Sequence, residues 1–274
     1  MIYELNKSHF YKVSHLLTGD LVNIEIKGVV QGYQPGWVFV EHIDHPKTAM
    51  IWSKAIDGFY FIGDENNTDF NDYINQFISL DIAPRAKDLG LISFEFSGTS
   101  LSWDKTLESV FQNRELHRSK QFTYKYKNII NASIAEIELQ NGFEMMEVNV
   151  FLLEKKLSNL DFVTSMILDW WDSLDDFFVS GVGFCILYKD QIVSCCISSC
   201  VTDDAMGSHT VTLNDYRNHG LAKKLIHQFL TYCRDHGFEP NWDCMEENLG
   251  SRLLAESCGY TKDSEYILYH FKLY

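Results

Sequence analysis

Residues 208–237 constrain the fold more than any other stretch of the chain. Ser208-His-Thr-Val-Thr-Leu213 is rich in β-branched residues and reads as a strand. After Asn214-Asp215 comes Arg217-x-x-Gly220-x-Ala222. From Gly220 to His236 the apolar residues recur at helical spacing, and Gly237 stands where a helix stops. A strand that feeds a helix through such a loop leaves the first N–H groups of that helix without partners. It also puts the positive end of the helix dipole at the strand's edge. Gly220 has no Cβ, Ala222 is almost as small, and Arg217 and Lys223 add positive charge. Together these residues suit a pyrophosphate. A strand, turn and helix with one glycine also occurs for packing reasons alone, so the flanking sequence has to decide.

Charge sharpens the contrast. Residues 1–135 carry 13 Lys/Arg against 16 Asp/Glu, and residues 136–274 carry 10 against 22. The second half therefore holds −12 of the total net charge of −15, and the Arg217–Lys223 loop is its main basic cluster. An acidic surface repels phosphate backbones, which argues against nucleic acid and anionic membranes as partners. It would attract a cation, although acidic surfaces also serve solubility alone. No apolar run is long enough to span a bilayer, and the N-terminus lacks a basic segment followed by an apolar one. The 7 cysteines are odd in number and all lie between Cys185 and Cys258. That distribution fits a reducing cytoplasm better than a disulfide scaffold.

Two halves with one element order emerge along the chain. In the first half, helical patterns at 8–17 and 20–30 (with Leu21, Ile24, Val29 and Val30 apolar) precede a hairpin. Its strands are Gly36–Asp44 and Lys47–Ser53, joined at Asp44-His45-Pro46. A strand at Gly58–Gly63, a helix at Thr68–Leu80, a strand at Leu91–Phe96, a helix at Trp103–Phe111 and a strand at Gln121–Tyr126 follow. In the second half a helix at Leu157–Trp171 carries Leu160, Val163, Met166, Ile167 and Trp170 on one face, with Trp170 expected in the core. Then come a hairpin of Gly183–Tyr188 and Gln191–Ser198, the strand at 208–213, the helix at 220–236, a strand at Pro240–Cys244, a helix at Asn248–Cys258 and a strand at Tyr266–Phe271. The shared order predicts two copies of one α+β fold with mixed, mostly antiparallel sheets and helices on both faces. The expected boundary falls within 127–135, giving domains 1–130 and 131–274. The first half has Asp64-Glu65-Asn66-Asn67 where the second has its anion loop. It is therefore read as the degenerate copy, without a phosphate site.

Arg217-x-x-Gly220-x-Ala222 after a strand resembles the signature of the GNAT N-acetyltransferases, Gln/Arg-x-x-Gly-x-Gly/Ala. Downstream, Asn248-x-x-Ser251-x-x-Leu254, ending in Cys258-Gly259-Tyr260, is similar to that family's second signature. Trp242-x-Cys244 before Asn248 resembles the zwittermicin-A-resistance-like subgroup, and an antibiotic-resistance role follows from that likeness alone. The likeness rests on motifs over about 180–274 and on element order before that. It implies two GNAT-like domains in tandem, the second catalytic, and direct transfer of an acetyl group from acetyl-CoA to a primary amine. It implies that backbone groups of Val211, Thr212 and Leu213 pair with the pantetheine. The N–H groups of Asn218, His219, Gly220, Leu221, Ala222 and Lys223 would hold the pyrophosphate, with Arg217 adding charge and with Asn248 and Ser251 near the pantetheine or the strand beside it. A strand N–H would polarise the thioester carbonyl.

A general base takes the amine proton and a general acid protonates the leaving thiolate. Many family members carry a Tyr seven residues after the Asn as that acid. Here the position is Ala255, so another group or water must serve. His209 is a candidate base or else a hydrogen-bonded strand histidine. Glu246 and Glu247 are further candidates for the base, or else helix-start carboxylates. Asp203 and Asp204 are weaker ones. On the acceptor side, Asp172 and Asp175 lie among aromatic residues and would suit an ammonium group. Cys185, Cys195, Cys196 and Cys200 show no Cys-x-x-Cys pair, so buried thiols are expected rather than a metal site. The expected acceptor is a small cationic molecule such as an aminoglycoside, amino-polyol or polyamine, and the expected assembly is a monomer or homodimer. The alternatives are an acetyltransferase of protein or peptide amines, and a CoA-binding sensor with little turnover, which the alanine at 255 favours.

Overall fold

The computed structural model describes residues 1–18, 23–134 and 138–274. Two compact units are present. Unit 1 comprises 1–121 with 265–274, and unit 2 comprises 122–264. The division is not serial, because the last ten residues belong to unit 1. A single cut at 130 cannot express this, since it depends on which strands pair and not on chain order.

Unit 1 starts with β1 (Tyr3–Glu4) and a 3₁₀ helix at Lys7–Leu16, where a helical pattern at 8–17 was expected. Of the second pattern, α1 (Ile24–Val30) forms, while Asp20 and Leu21 lie outside the described residues. β2 (Gly36–Val40), β3 (Thr48–Ser53) and β4 (Gly58–Gly63) follow as an antiparallel meander. Next come α2 (Thr68–Phe77), a π turn at Ile78–Ile82 and α3 (Ala83–Asp88). The helix thus runs past Leu80, where a stop was expected. Pro84 has no N–H to give to the preceding turn, so the backbone widens by one residue instead of ending. β5 (Ser93–Gly98), α4 (Leu101–Val110) and β6 (His117–Lys125) complete this half. The sheet order is β1-β2-β3-β4-β5-β12, the last being the 265–272 part of the terminal strand. Strand alternation sorts two cores. Phe39, Met50, Trp52, Phe59, Phe61, Phe94 and Phe96 fill one face, and Val38, Val40, Ala49, Ile51, Tyr60 and Ile62 the other.

In unit 2, β7 (Phe143–Glu147) and three helices precede the hairpin: α5 (Val150–Leu153), α6 (Leu160–Trp170) and α7 (Leu174–Ser180). β7, α5 and α7 are too short to leave a periodic signature. Ala135, at the end of the expected linker, lies outside the described residues. β8 (Gly183–Tyr188), β9 (Gln191–Val201), β10 (Ala205–Thr212), α8 (Leu221–His236), β11 (Glu239–Met245), α9 (Leu249–Ser257) and β12 (Thr261–Lys272) follow. The 261–264 and 122–125 parts of β12 and β6 extend a sheet that continues β11-β10-β9-β8-β7. The core is one cluster, with Val163, Ile167, Trp171 and Phe177 among its fully buried members and Leu225, Ile226, Phe229 and Leu230 supplied by α8. All seven cysteines are buried free thiols. Burial pushes Cys185 and Cys196 up to about 12 and Cys258 up to about 11, so they are neutral and unreactive at pH 7.

Candidate functional site

The site grows from a parallel strand pair that does not stay paired. β10 and β11 share rungs at Ala205↔Glu239, Met206↔Pro240 and Gly207↔Asn241, and no further. The β9–β10 register shifts between Gly207 and Ser208, where Ser199 of β9 is the extra residue, and β10 remains paired with β9 as far as Thr212↔Ser194. From Ser208 onward β10 therefore has one satisfied edge and one open edge. Unit 1 offers the contrast. There β4 and β5 pair at Phe59↔Phe96, Tyr60↔Ser97 and Phe61↔Gly98, and the end is shut. The Thr99 N–H and hydroxyl both donate to the Phe61 carbonyl, at 3.3 and 3.1 Å. The Trp103 indole N–H donates to the Gly63 carbonyl at 3.1 Å.

Hydrogen bonding decides which backbone groups face the open edge. The Leu213 N–H donates to the Val193 carbonyl at 2.9 Å, and the Ser194 hydroxyl donates to the Val211 carbonyl at 3.3 Å. Successive strand residues turn their amides to opposite edges, so Val211 and Leu213 face β9. The open edge is left to Ser208, Thr210 and Thr212. Val211 and Leu213, expected to pair with the pantetheine, thus direct their amides to β9, and Thr212 directs its own to the open edge. The Ser208 hydroxyl is buried without a partner among the described residues.

The loop at the end of β10 leaves backbone N–H groups free at the start of α8. Asn218 and Gly220 both take left-handed backbone angles, φ 64° and 74°. Such residues in close succession turn consecutive N–H groups toward one side. No side chain caps α8, and the Lys224 N–H makes the return bond to the Gly220 carbonyl at 3.0 Å. The N–H groups of Leu221, Ala222 and Lys223 precede that bond and point out of the helix end. A Cβ added at Gly220 would meet no atom within 4 Å, so the space over the loop is open. The Arg217 Nε donates to the Thr212 carbonyl at 3.2 Å, which anchors the loop on the strand. His219 lies near Phe143, ring centroids 6.4 Å apart.

Asn248 and Ser251 hold the second strand. The Asn248 side-chain oxygen accepts from the Ser251 N–H at 3.1 Å and caps α9. The Ser251 hydroxyl accepts from the Trp242 indole N–H at 3.0 Å. Trp242 is the first β11 residue beyond the last rung, so the pair fixes where the strand goes after separating. Ala255 is fully buried, and its carbonyl accepts from the Tyr260 N–H at 3.1 Å. The Tyr260 ring packs beside Trp242 and Tyr126, centroids 5.4 and 5.6 Å apart. Its hydroxyl is buried without a partner among the described residues, and burial raises its pKa well above the ordinary tyrosine value.

On the opposite face of β10 stands His209. Its ring lies 4.8 Å from the Trp170 ring at the end of α6, the planes 39° apart. Burial pulls its pKa below 6.5, and the Asp169 carboxylate partly opposes that shift. The sequence pattern places Trp170 in the core, but the core tryptophan is Trp171. Trp171 is fully buried, and its indole N–H donates to the Ser198 carbonyl at 3.0 Å. Trp170 is half-buried because α6 ends there and Trp171 has already left helical geometry. Asp172 and Asp175 are exposed at the α6–α7 turn, where Ser173 and Asp176 close the cap. Glu246 and Glu247 are exposed in the turn before α9, with backbone carbonyls occupied by Arg252 and Leu249. The Asp204 carboxylate accepts from the Thr202 hydroxyl at 2.8 Å. Asp203 and Asp204 lie at the paired end of β10, away from the opening. Among the described residues no His, Cys, Asp and Glu cluster could hold a metal ion, and no helix is long and apolar enough to cross a membrane.

The family model for GNAT acetyltransferases matches residues 14–269. The uncharacterized N-acetyltransferase YdfB of Bacillus subtilis (strain 168) is 23% identical over 271 residues, 98% of either chain. A GCN5-related N-acetyltransferase-like protein from Streptococcus suis superposes with a TM-score of 0.67 at 20% identity, covering 97% of this chain and 99% of its own. A tandem GNAT protein from the clavulanic acid biosynthesis pathway does so at 0.63 and 8% identity, over 100% and 99%. The fold is thus the tandem α+β arrangement expected from the repeated element order. The chain belongs to the GNAT acetyltransferase family and is an acetyl-CoA-dependent N-acetyltransferase.

Proposed function

We propose that unit 2 carries out the transfer and that the acceptor is a small cationic amine, an aminoglycoside, amino-polyol or polyamine. The observation that carries the reading is the open edge of β10 ending in an uncapped helix. Coenzyme A presents a pyrophosphate and an amide-bearing arm, and both fit the residues there. The N–H groups of residues 218–223 suit the pyrophosphate, with Arg217 and Lys223 supplying charge. The Ser208, Thr210 and Thr212 edge suits the amides of the arm, and Asn248 and Ser251 hold β11 aside for it. When bound, acetyl-CoA supplies the activated acetyl group. An N–H of the open edge polarises its carbonyl.

His209 takes the proton of the attacking amine. A neutral imidazole suits that task, and burial keeps it neutral at pH 7. Glu246 and Glu247 serve as acceptor-side carboxylates near the start of α9 rather than as the base. Asp169, Asp172 and Asp175 give the α6–α7 side a negative field for an ammonium group. Unit 1 shapes the protein without binding coenzyme A, since its parallel pair is shut and Asp64–Asn67 is acidic. The buried free thiols favour a cytoplasmic location. An antibiotic-resistance role would follow if the acceptor were an aminoglycoside.

The test is a thermal-shift titration with acetyl-CoA, then thiol release with amine and peptide panels. Stabilisation plus release with small polyamines or amino sugars supports the reading. Release with peptides alone would overturn the acceptor class. Loss of stabilisation in Asn218→Pro and Lys223→Glu is expected, and its absence would remove the loop from the site.

A further inference from the structure

His209 is a half-buried strand residue. Polar groups taken out of water are as a rule hydrogen-bonded. Among the described residues, however, no hydrogen bond reaches either ring nitrogen, and the neighbour in ring contact is Trp170. From β9 the facing residues are Ile197, its cross-strand partner, and Cys195 two residues along, both apolar or neutral. From α6 they are Trp170 and Asp169, the charged group that acts on it. A hydrogen bond would fix the ring but occupy a nitrogen. A flat aromatic face fixes the ring and occupies neither.

We propose that Trp170 is a positioning residue for acetyl transfer, holding the His209 imidazole against its indole so that both ring nitrogens stay open to the acceptor amine. The proposal rests on the reading of His209 as proton acceptor. In that step an acceptor N–H bond breaks, an imidazole N–H bond forms, and the imidazolium stands beside the Asp169 carboxylate. The indole acts twice. It orients the ring, and it excludes the water that would otherwise favour the charged form.

The experiment compares wild type, Trp170→Phe, Trp170→Leu, Trp170→Met and His209→Asn. Two readouts are used. One is the NMR titration of the His209 ring in the ligand-free protein, assigned through His209→Asn. The other is the pH dependence of kcat/KM with the best amine of the panel. Trp170→Phe keeps an aromatic face and should remain near wild type on both. Trp170→Leu and Trp170→Met should move the NMR titration up toward 6.5, and the acid limb of kcat/KM should move with it. Their kcat should fall by at least about tenfold, within the 10²–10⁴-fold worth of a general base, while KM for acetyl-CoA stays within about twofold. An NMR titration and acid limb unchanged in both aliphatic variants would overturn the positioning role. If the titration moves but the acid limb does not, and His209→Asn keeps its activity, His209 is not the base and the proposal falls with it. Trp170 is half-buried, and Leu and Met fill its place with two different shapes, so melting curves of both variants separate loss of folding from loss of positioning.

Discussion

Gly220→Ala separates the two jobs of the anion loop. Gly220 has φ 74°, a left-handed angle that costs a residue with a Cβ about 1–2 kcal/mol. The added Cβ meets no protein atom within 4 Å, so no steric term adds to that strain. For a unit of this size 1 kcal/mol lowers Tm by about 2–4 °C, which sets the expected loss without ligand at about 2–8 °C. The open space into which the Cβ projects is where the pyrophosphate is proposed to lie. Each charge-assisted hydrogen bond there contributes about 1.5–3 kcal/mol, so losing one should weaken coenzyme A by about tenfold to a few hundredfold. Gly237 supplies the control. It closes the other end of α8 with φ 79° and equally empty surroundings. Gly237→Ala should cost the same stability and leave coenzyme A affinity unchanged. The assays are thermal melts without ligand and isothermal titration with coenzyme A. If both variants melt alike and both bind coenzyme A like wild type, the loop does not hold the anion.

Three further outcomes are expected. Asn248→Ala removes the cap of α9 and should cost about 1 kcal/mol in urea unfolding, with a smaller loss of coenzyme A affinity than Gly220→Ala; unchanged stability would show that the 3.1 Å cap bond does not matter. Tyr260→Phe removes a buried hydroxyl that has no partner among the described residues, so stability should hold or rise by about 1 kcal/mol; a clear loss would mean that the hydroxyl is satisfied in solution. Burial raises the Glu25 carboxyl from 4.5 to about 7, so stability is full below 4.5 and is lost as pH rises through about 7. Glu25→Gln should therefore stabilise unit 1 by something on the order of 3 kcal/mol at pH 8 and by little at pH 4; equal gains at both would refute the assignment.

Much of unit 2 is legible because local chemistry and global position agree there. Gly220 and Gly237 bracket one amphipathic helix, and both adopt the left-handed angles that favour glycine. Asn248 caps the next helix at the offset its motif implies. Short elements escape, since β7, α5 and α7 hold too few residues to show a period. The reach of α2 and α3 past Leu80 escapes because a proline reads as a stop, while a π turn lets the chain absorb it.

The loop from Arg217 to Ala222 is a property of the sequence: its glycine, its charges and the helix it opens are fixed by residues next to one another. The opening beside it is not. Whether β10 and β11 separate depends on a register shift at Gly207–Ser208 and on a Trp242–Ser251 bond between a strand and a helix. Which amides face that opening depends on the register with β9, where a one-residue difference exchanges Val211 and Leu213 for Thr210 and Thr212. The choice between Trp170 and Trp171 likewise turns on the residue at which α6 stops. Neighbour chemistry is written in the chain, but pairing, register and helix ends are settled by contacts between distant residues, and those contacts decide which groups reach the reacting atoms.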